Sequence, residues 1–155
     1  MAVRVQREDF DVGAEIVAMT ADDHGIGGVT SFVGLVRDIV GEANAAGGAM
    51  TLEHYPGMTE KMLANIDAEA QSRWPLSASL IIHRYGRLEP GDNIVMVAAA
   101  SAHRGDAFKA CEFLIDWLKT KAPFWKLEES ADGVESWVDA RASDDAAAER
   151  WRNNG

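Results

Sequence analysis

The stretch at 77–103 reads SASLIIHRYGRL, then EPGD, then NIVMVAAASAH. Two extended apolar runs are joined by four residues in which Pro90 presets a turn and Gly91 can complete it. Such a connection leaves little choice: the runs fold back on each other as an antiparallel hairpin. Whatever else the chain builds must pack around that pair. Upstream, residues 58–74 carry Met62, Ile66, Ala70 and Trp74 on one side of a helix, which Pro75 stops. Downstream, Asp106 is the expected N-cap of a helix running to about residue 121. Ala107, Cys111, Leu114, Ile115 and Leu118 would face the core. Pro123 closes that helix, 124–130 is a strand, and 133–140 is its expected partner.

The remaining elements are shorter. Residues 3–5 read as a strand and 12–23 as a helix with Ile16, Val17 and Met19 as apolar positions. Residues 29–36 alternate as a strand, 41–50 form a small, Gly-rich, flexible loop, and 51–55 is a strand stopped by Pro56-Gly57. There is no repeat and no linker. Helices interspersed with antiparallel hairpins define a single α+β domain over residues 1–141. Residues 142–155 mix acids, alanines and arginines and read as a short polar helix or a mobile tail.

A formal net charge of -10 over 155 residues argues against non-specific nucleic-acid binding, which needs a basic footprint. No apolar run reaches the length of a membrane span, and the N-terminus lacks the apolar core of a signal peptide, so a cytoplasmic location is expected. Cys111 is the single cysteine and sits in an apolar helical pattern, the setting of a structural thiol. The four histidines show no metal-ligand spacing, so neither a metal nor a cofactor is expected. GIGG at 25–28 lacks the spacing of a dinucleotide fingerprint.

Against that acidic background the lysines are unevenly placed. The chain has five, and Lys119, Lys121 and Lys126 fall within LKTKAPFWK. A cation in the last turn of a helix complements its dipole, which accounts for Lys121. Lys126 shares a strand face with Phe124 and Glu128 among apolar neighbours that penalise its charge. A turn at Ala122-Pro123 would fold it back toward Lys119, giving an anion site or a proton-transfer pair. His103 and Arg104, in SAHRGD, fall at the start of the same helix, where unpaired N–H groups favour anions. Arg37 ends a strand just before the Gly-rich loop and is either a ligand-facing cation or half of a solvated pair with Asp38. A helix of about 15 residues spans roughly 22 Å, so one small ligand cannot touch both of its ends. Either the ligand is elongated or a second chain completes the pocket.

TLEHYPGMTEKM, IHRYGRLEPGDNIV, SAHR and LKTKAPFWK, in that order, with FVGLVRD upstream and SWVDAR downstream, resemble the large, catalytic subunit family of molybdopterin synthase. The resemblance covers about residues 29–141. It implies an α/β-hammerhead core with added antiparallel hairpins. It also implies an enzyme of molybdenum cofactor biosynthesis, transferring sulfur to cyclic pyranopterin monophosphate (precursor Z) to form the molybdopterin dithiolene. The sulfur would come from the C-terminal glycine thiocarboxylate of a small ubiquitin-like sulfur-carrier subunit. The assembly implied is a heterotetramer built on a homodimer of large subunits. By the same resemblance Lys119 and Lys126 are the catalytic lysines, while Arg37, His103 and Arg104, with Arg141 of SWVDAR, contact substrate anions. Some relatives carry a lysine where this chain has Leu35, so a contact from there would come from backbone. The competing expectation is a non-enzymatic module that binds an anionic metabolite or an acidic partner tail through the same lysines.

Overall fold

The computed structural model describes residues 2–38, 48–129, 135–138 and 142–153. In chain order the elements are β1 (Ala2–Gln6), α1 (Val12–Thr20), β2 (Gly28–Leu35), β3 (Ala49–His54), α2 (Met58–Arg73) and β4 (Leu76–Arg84). They continue as β5 (Gly86–Leu88), β6 (Asn93–Ser101), α3 (Arg104–Lys121), β7 (Phe124–Glu129), β8 (Glu135–Val138) and α4 (Ala142–Asn153). The result is a single α+β domain with two four-stranded sheets, ordered β1-β4-β6-β2 and β5-β3-β7-β8. Among the described residues only β1 and β4 run parallel; every other neighbouring pair is antiparallel.

The expected hairpin is present, with one correction. The run 77–88 is not one strand. β4 pairs with β6, but Gly86 takes a φ of +89°, a conformation that glycine adopts without penalty, and the chain leaves for the second sheet. There β5 pairs with β3. Hairpin and crossover are thus one device, and β4 ends at the junction of the two sheets.

β6 reads NIVMVAAAS without polar alternation because it is covered on both faces. On one side Ile81, Val97 and Ala99 pack under α2 and α3 with Leu63, Ile66, Phe113 and Leu114. On the other, Leu80, Ile82, Met96 and Ala98 meet Phe10 and the apolar positions of α1. Burying each large side chain of this kind stabilises the fold by about 1.5–3 kcal/mol. Met50, Leu52 and Leu88 give the second sheet its own covered face.

Three other boundaries differ from expectation. α3 begins at Arg104 with His103 as N-cap, and Asp106 lies in the first turn, where a carboxylate complements the helix dipole. α1 ends at Thr20, and β3 starts at Ala49, inside the expected loop. Residues 41–47 of that loop lie outside the described residues. At the C-terminal end α4 is helical and packs on α3. Arg150 donates to Glu112 (2.7 Å) and Asp116 (2.9 Å), and Trp151 Nε1 donates to Asp116 (2.7 Å). The Trp151 ring meets Trp74 and Phe113 edge-on.

One residue of α2 is out of keeping with the core. Asp67 is buried, and among the described residues its carboxylate oxygens have no well-formed hydrogen bond. Burial pushes its pKa up, and the Ser79 hydroxyl opposes this only in part. The folded chain therefore holds this proton to higher pH than the unfolded chain does. Stability falls as pH rises above the ordinary carboxyl value, through the raised folded value. Asp67→Asn should stabilise the protein by about 1 kcal/mol at neutral pH. The gain should shrink toward pH 4, as read by urea denaturation across that range.

Candidate active site

The ends of the elements sort the expected site residues into two groups. α3 packs back along β6 and β2, so its C-terminus lies where β6 begins and β2 ends. Lys119 is in the last turn of α3. Arg37 follows the end of β2 and is exposed. Its predecessor Val36 is buried and pinned to the EPGD turn: Val36 N–H donates to Asp92 O (2.9 Å), and Gly91 N–H donates to Val36 O (2.8 Å). The same end of the sheet holds His83, opposite Val95.

Lys126 reaches this end through β7. It stands opposite Leu52 of β3, on the face shared by Phe124, Glu128, Met50 and buried Leu88. Its Nζ lies 3.3 Å from Glu128 Oε1. The corner between α3 and β7 is held from two sides. Buried Thr59 donates its hydroxyl to Pro123 O (3.2 Å), and the His83 imidazole stacks on Phe124 with centroids 3.7 Å apart and planes 17° from parallel. Burial, reinforced by the charge of Lys119 and then of His54, pushes the His83 pKa down to about 4; a hydrogen bond at the Arg84 carbonyl opposes this. Lys119 thus borders the His83–Phe124 pair electrostatically, while Lys126 borders it along β7. Lys121 lies over the Trp117 ring at 5.4 Å, away from this role.

His103 and Arg104 stand at the opposite end of α3. Both are exposed, and the His103 side chain makes no capping bond. The 15-residue step from Arg104 to Lys119 corresponds to roughly 22 Å of helix. The fold therefore does not bring these two residues to the lysines of the same chain. Arg141 lies outside the described residues. GIGG, no nucleotide loop, supports SAHR. Gly27 N–H donates to Ser101 O (2.9 Å), and a Cβ on Gly27 would lie 2.0 Å from the Ala102 carbonyl oxygen. Among the described residues no group of acids, histidines and cysteine is arranged to hold a metal. Burial pushes the Cys111 thiol up to about 11, as a structural role requires.

His83, Phe124, Thr59 and Gly27 escape a reading of the sequence. The one available signal was a titratable ring inside the apolar run LIIHRY.

An α+β domain with two lysines around a buried imidazole, at the end of a mixed sheet, has recognisable relatives. The family model described as MoaE protein matches residues 5–121. A molybdopterin synthase catalytic subunit from Pseudomonas aeruginosa is 58% identical over 151 residues, covering 97% of this chain and 99% of the relative. Among solved structures, the molybdopterin biosynthesis MoaE protein from Burkholderia ambifaria superposes with a TM-score of 0.81 at 55% identity, covering 97% of this chain and 98% of that one. Molybdopterin synthase from Staphylococcus aureus gives 0.78 at 32% identity, over 87% and 95% respectively. The chain belongs to the MoaE family, the family of molybdopterin synthase catalytic subunits. Its class is that of an enzyme subunit in molybdenum cofactor biosynthesis.

Proposed function

We propose that the chain transfers sulfur to precursor Z from the C-terminal glycine thiocarboxylate of a small ubiquitin-like carrier subunit. The observation that carries this reading is that Lys119 and Lys126 border one pair of stacked rings, the buried His83 and the half-buried Phe124. The thiocarboxylate sulfur attacks a side-chain carbon of the pterin, and a carbon–oxygen bond breaks there in exchange: the oxygen leaves with the phosphate as the cyclic ester opens at one carbon, and as water at the other. One lysine ammonium supplies a proton and stabilises the negative charge that develops, while the other holds the anionic tail or substrate. Water then breaks the acyl–sulfur bond and leaves the carrier with a carboxylate. Two such transfers complete the dithiolene. Arg37, His103 and Arg104, with Arg141, hold the cyclic phosphate and the pterin. A buried thiol and a thiocarboxylate donor both suit a reducing compartment, so we place the reaction in the cytoplasm.

The separation within α3 supports a pocket shared by two large subunits. β2 is an edge strand of the first sheet. Phe32 and Leu35 on it, and Phe108 on neighbouring α3, are exposed apolar side chains. A twofold axis that set two β2 edges antiparallel would cover these side chains. It would also bring the Gly28 end of one chain, with His103 and Arg104, to the Arg37 end of its partner. Each pocket would then combine Lys119, Lys126 and Arg37 of one chain with the anion-binding loop of the other. This homodimer, with a small carrier subunit on each large subunit, gives the heterotetramer.

Mixing inactive Lys119→Ala and Arg104→Ala chains tests the shared pocket. Half the dimers would be mixed, each with one intact pocket of two, so roughly a quarter of wild-type conversion should return. No recovery after confirmed subunit exchange would show that each pocket belongs to one chain.

A further inference from the structure

β4 and β7 belong to different sheets, and the His83–Phe124 stack joins them. Phe124 begins β7 just after α3 ends at Lys121, with Thr59 holding Pro123 between them. Lys119 lies shortly before this corner and Lys126 shortly after it. How the corner is seated therefore decides the direction in which each lysine leaves the backbone.

We propose that His83 is a positioning residue: stacked on Phe124, it seats the corner between α3 and β7 and holds Lys119 and Lys126 in the geometry that sulfur transfer uses. The inference rests on the assignment of those lysines as the reacting pair. Three observations support it. His83 is only 5% exposed, so its ring is fixed by its surroundings. Its Nδ1 lies 2.8 Å from the Arg84 carbonyl oxygen, which can only accept; the proton therefore sits on Nδ1, and this bond sets the ring plane. With a pKa near 4 the imidazole is neutral at neutral pH, so it places no buried positive charge within reach of the exposed Lys119. A flat, neutral ring with one polar edge meets all three requirements. An aliphatic side chain would fill the space without stacking.

The test compares wild type, His83→Ala and His83→Phe in conversion of precursor Z with a thiocarboxylated small subunit, well below each protein's Tm. His83→Ala should lower kcat at least ten-fold, while KM and small-subunit affinity stay within about three-fold. His83→Phe keeps a stacked ring and should recover kcat to within about three-fold of wild type. A lower Tm with unchanged kcat in His83→Ala would overturn the proposal, because that is the signature of a merely structural residue. Equal losses in both variants would also overturn it by assigning the role to the nitrogen. Should His83→Ala not fold, the wild-type ring can be followed by nitrogen NMR. It should keep the Nδ1–H neutral tautomer from about pH 5.5 to 8; titration within that range contradicts the proposal. Absence of product with wild type overturns the sulfur-transfer reading and this role together. Full activity in His83→Ala alongside active wild type overturns this role alone.

Discussion

Lys119→Ala should reduce conversion of precursor Z by at least about a thousand-fold while leaving small-subunit binding within about three-fold. The size follows from what the ammonium is asked to do. It sits in the last turn of α3, within electrostatic reach of a buried neutral ring. Lys126 and Arg37 bring charge to the same pocket, yet each has its own role there, so neither replaces the Lys119 ammonium. Water cannot replace a proton donor held at the end of a rigid helix. Lys119→Arg separates the enzymatic reading from simple docking. A guanidinium keeps the charge but gives up its proton far less readily, so turnover should remain low. A docking patch would tolerate the change. Near-normal conversion in Lys119→Ala would remove the residue from the mechanism.

The second large effect is expected at Gly27, distant from the lysines. Its added methyl would meet the Ala102 carbonyl oxygen at 2.0 Å, a backbone atom that cannot rotate out of the way. Ser101 is tied to Pro75 O by its hydroxyl (2.9 Å), so the displacement falls on Ala102, His103 and Arg104. Gly27→Ala should cost about 1–3 kcal/mol of stability. It should also raise KM for precursor Z at least ten-fold, with a smaller change in kcat, because substrate holding is lost rather than chemistry. Gly25→Ala is the matched control. Its methyl would approach only the movable Asp23 carboxylate at 3.0 Å and should change little. Comparing KM and Tm of the two variants reads the effect directly.

Much of this molecule was legible in its sequence because proline and glycine punctuate it. Pro75 and Pro123 mark true helix ends, and EPGD marks the turn that leads into β6. The period of two along FWKLEE correctly put Lys126 with Phe124 and Glu128 on one face of β7. What escaped depends on partners far apart in the chain. No local pattern announces that the strand-like run 77–88 turns at Gly86, because the turn serves a second sheet. Asp106 resembled a cap, yet the chain turns into α3 at His103, after a segment that Gly27 holds in place. His83 matters through Phe124, which reaches it only once α3 has folded back over the sheet. The lysine cluster and SAHR were visible as charges. Their separation along one 18-residue helix was also foreseeable, and the fold confirms it.

The measurement that bears most directly on the account is a reconstitution from three purified components: this chain, a thiocarboxylated small subunit and precursor Z. Molybdopterin is followed as its fluorescent oxidised derivative. Product is expected only when all three are present, at two carrier carboxylates formed per product. Tight complex formation with an active carrier but no product would contradict it and leave an anion-binding module in its place.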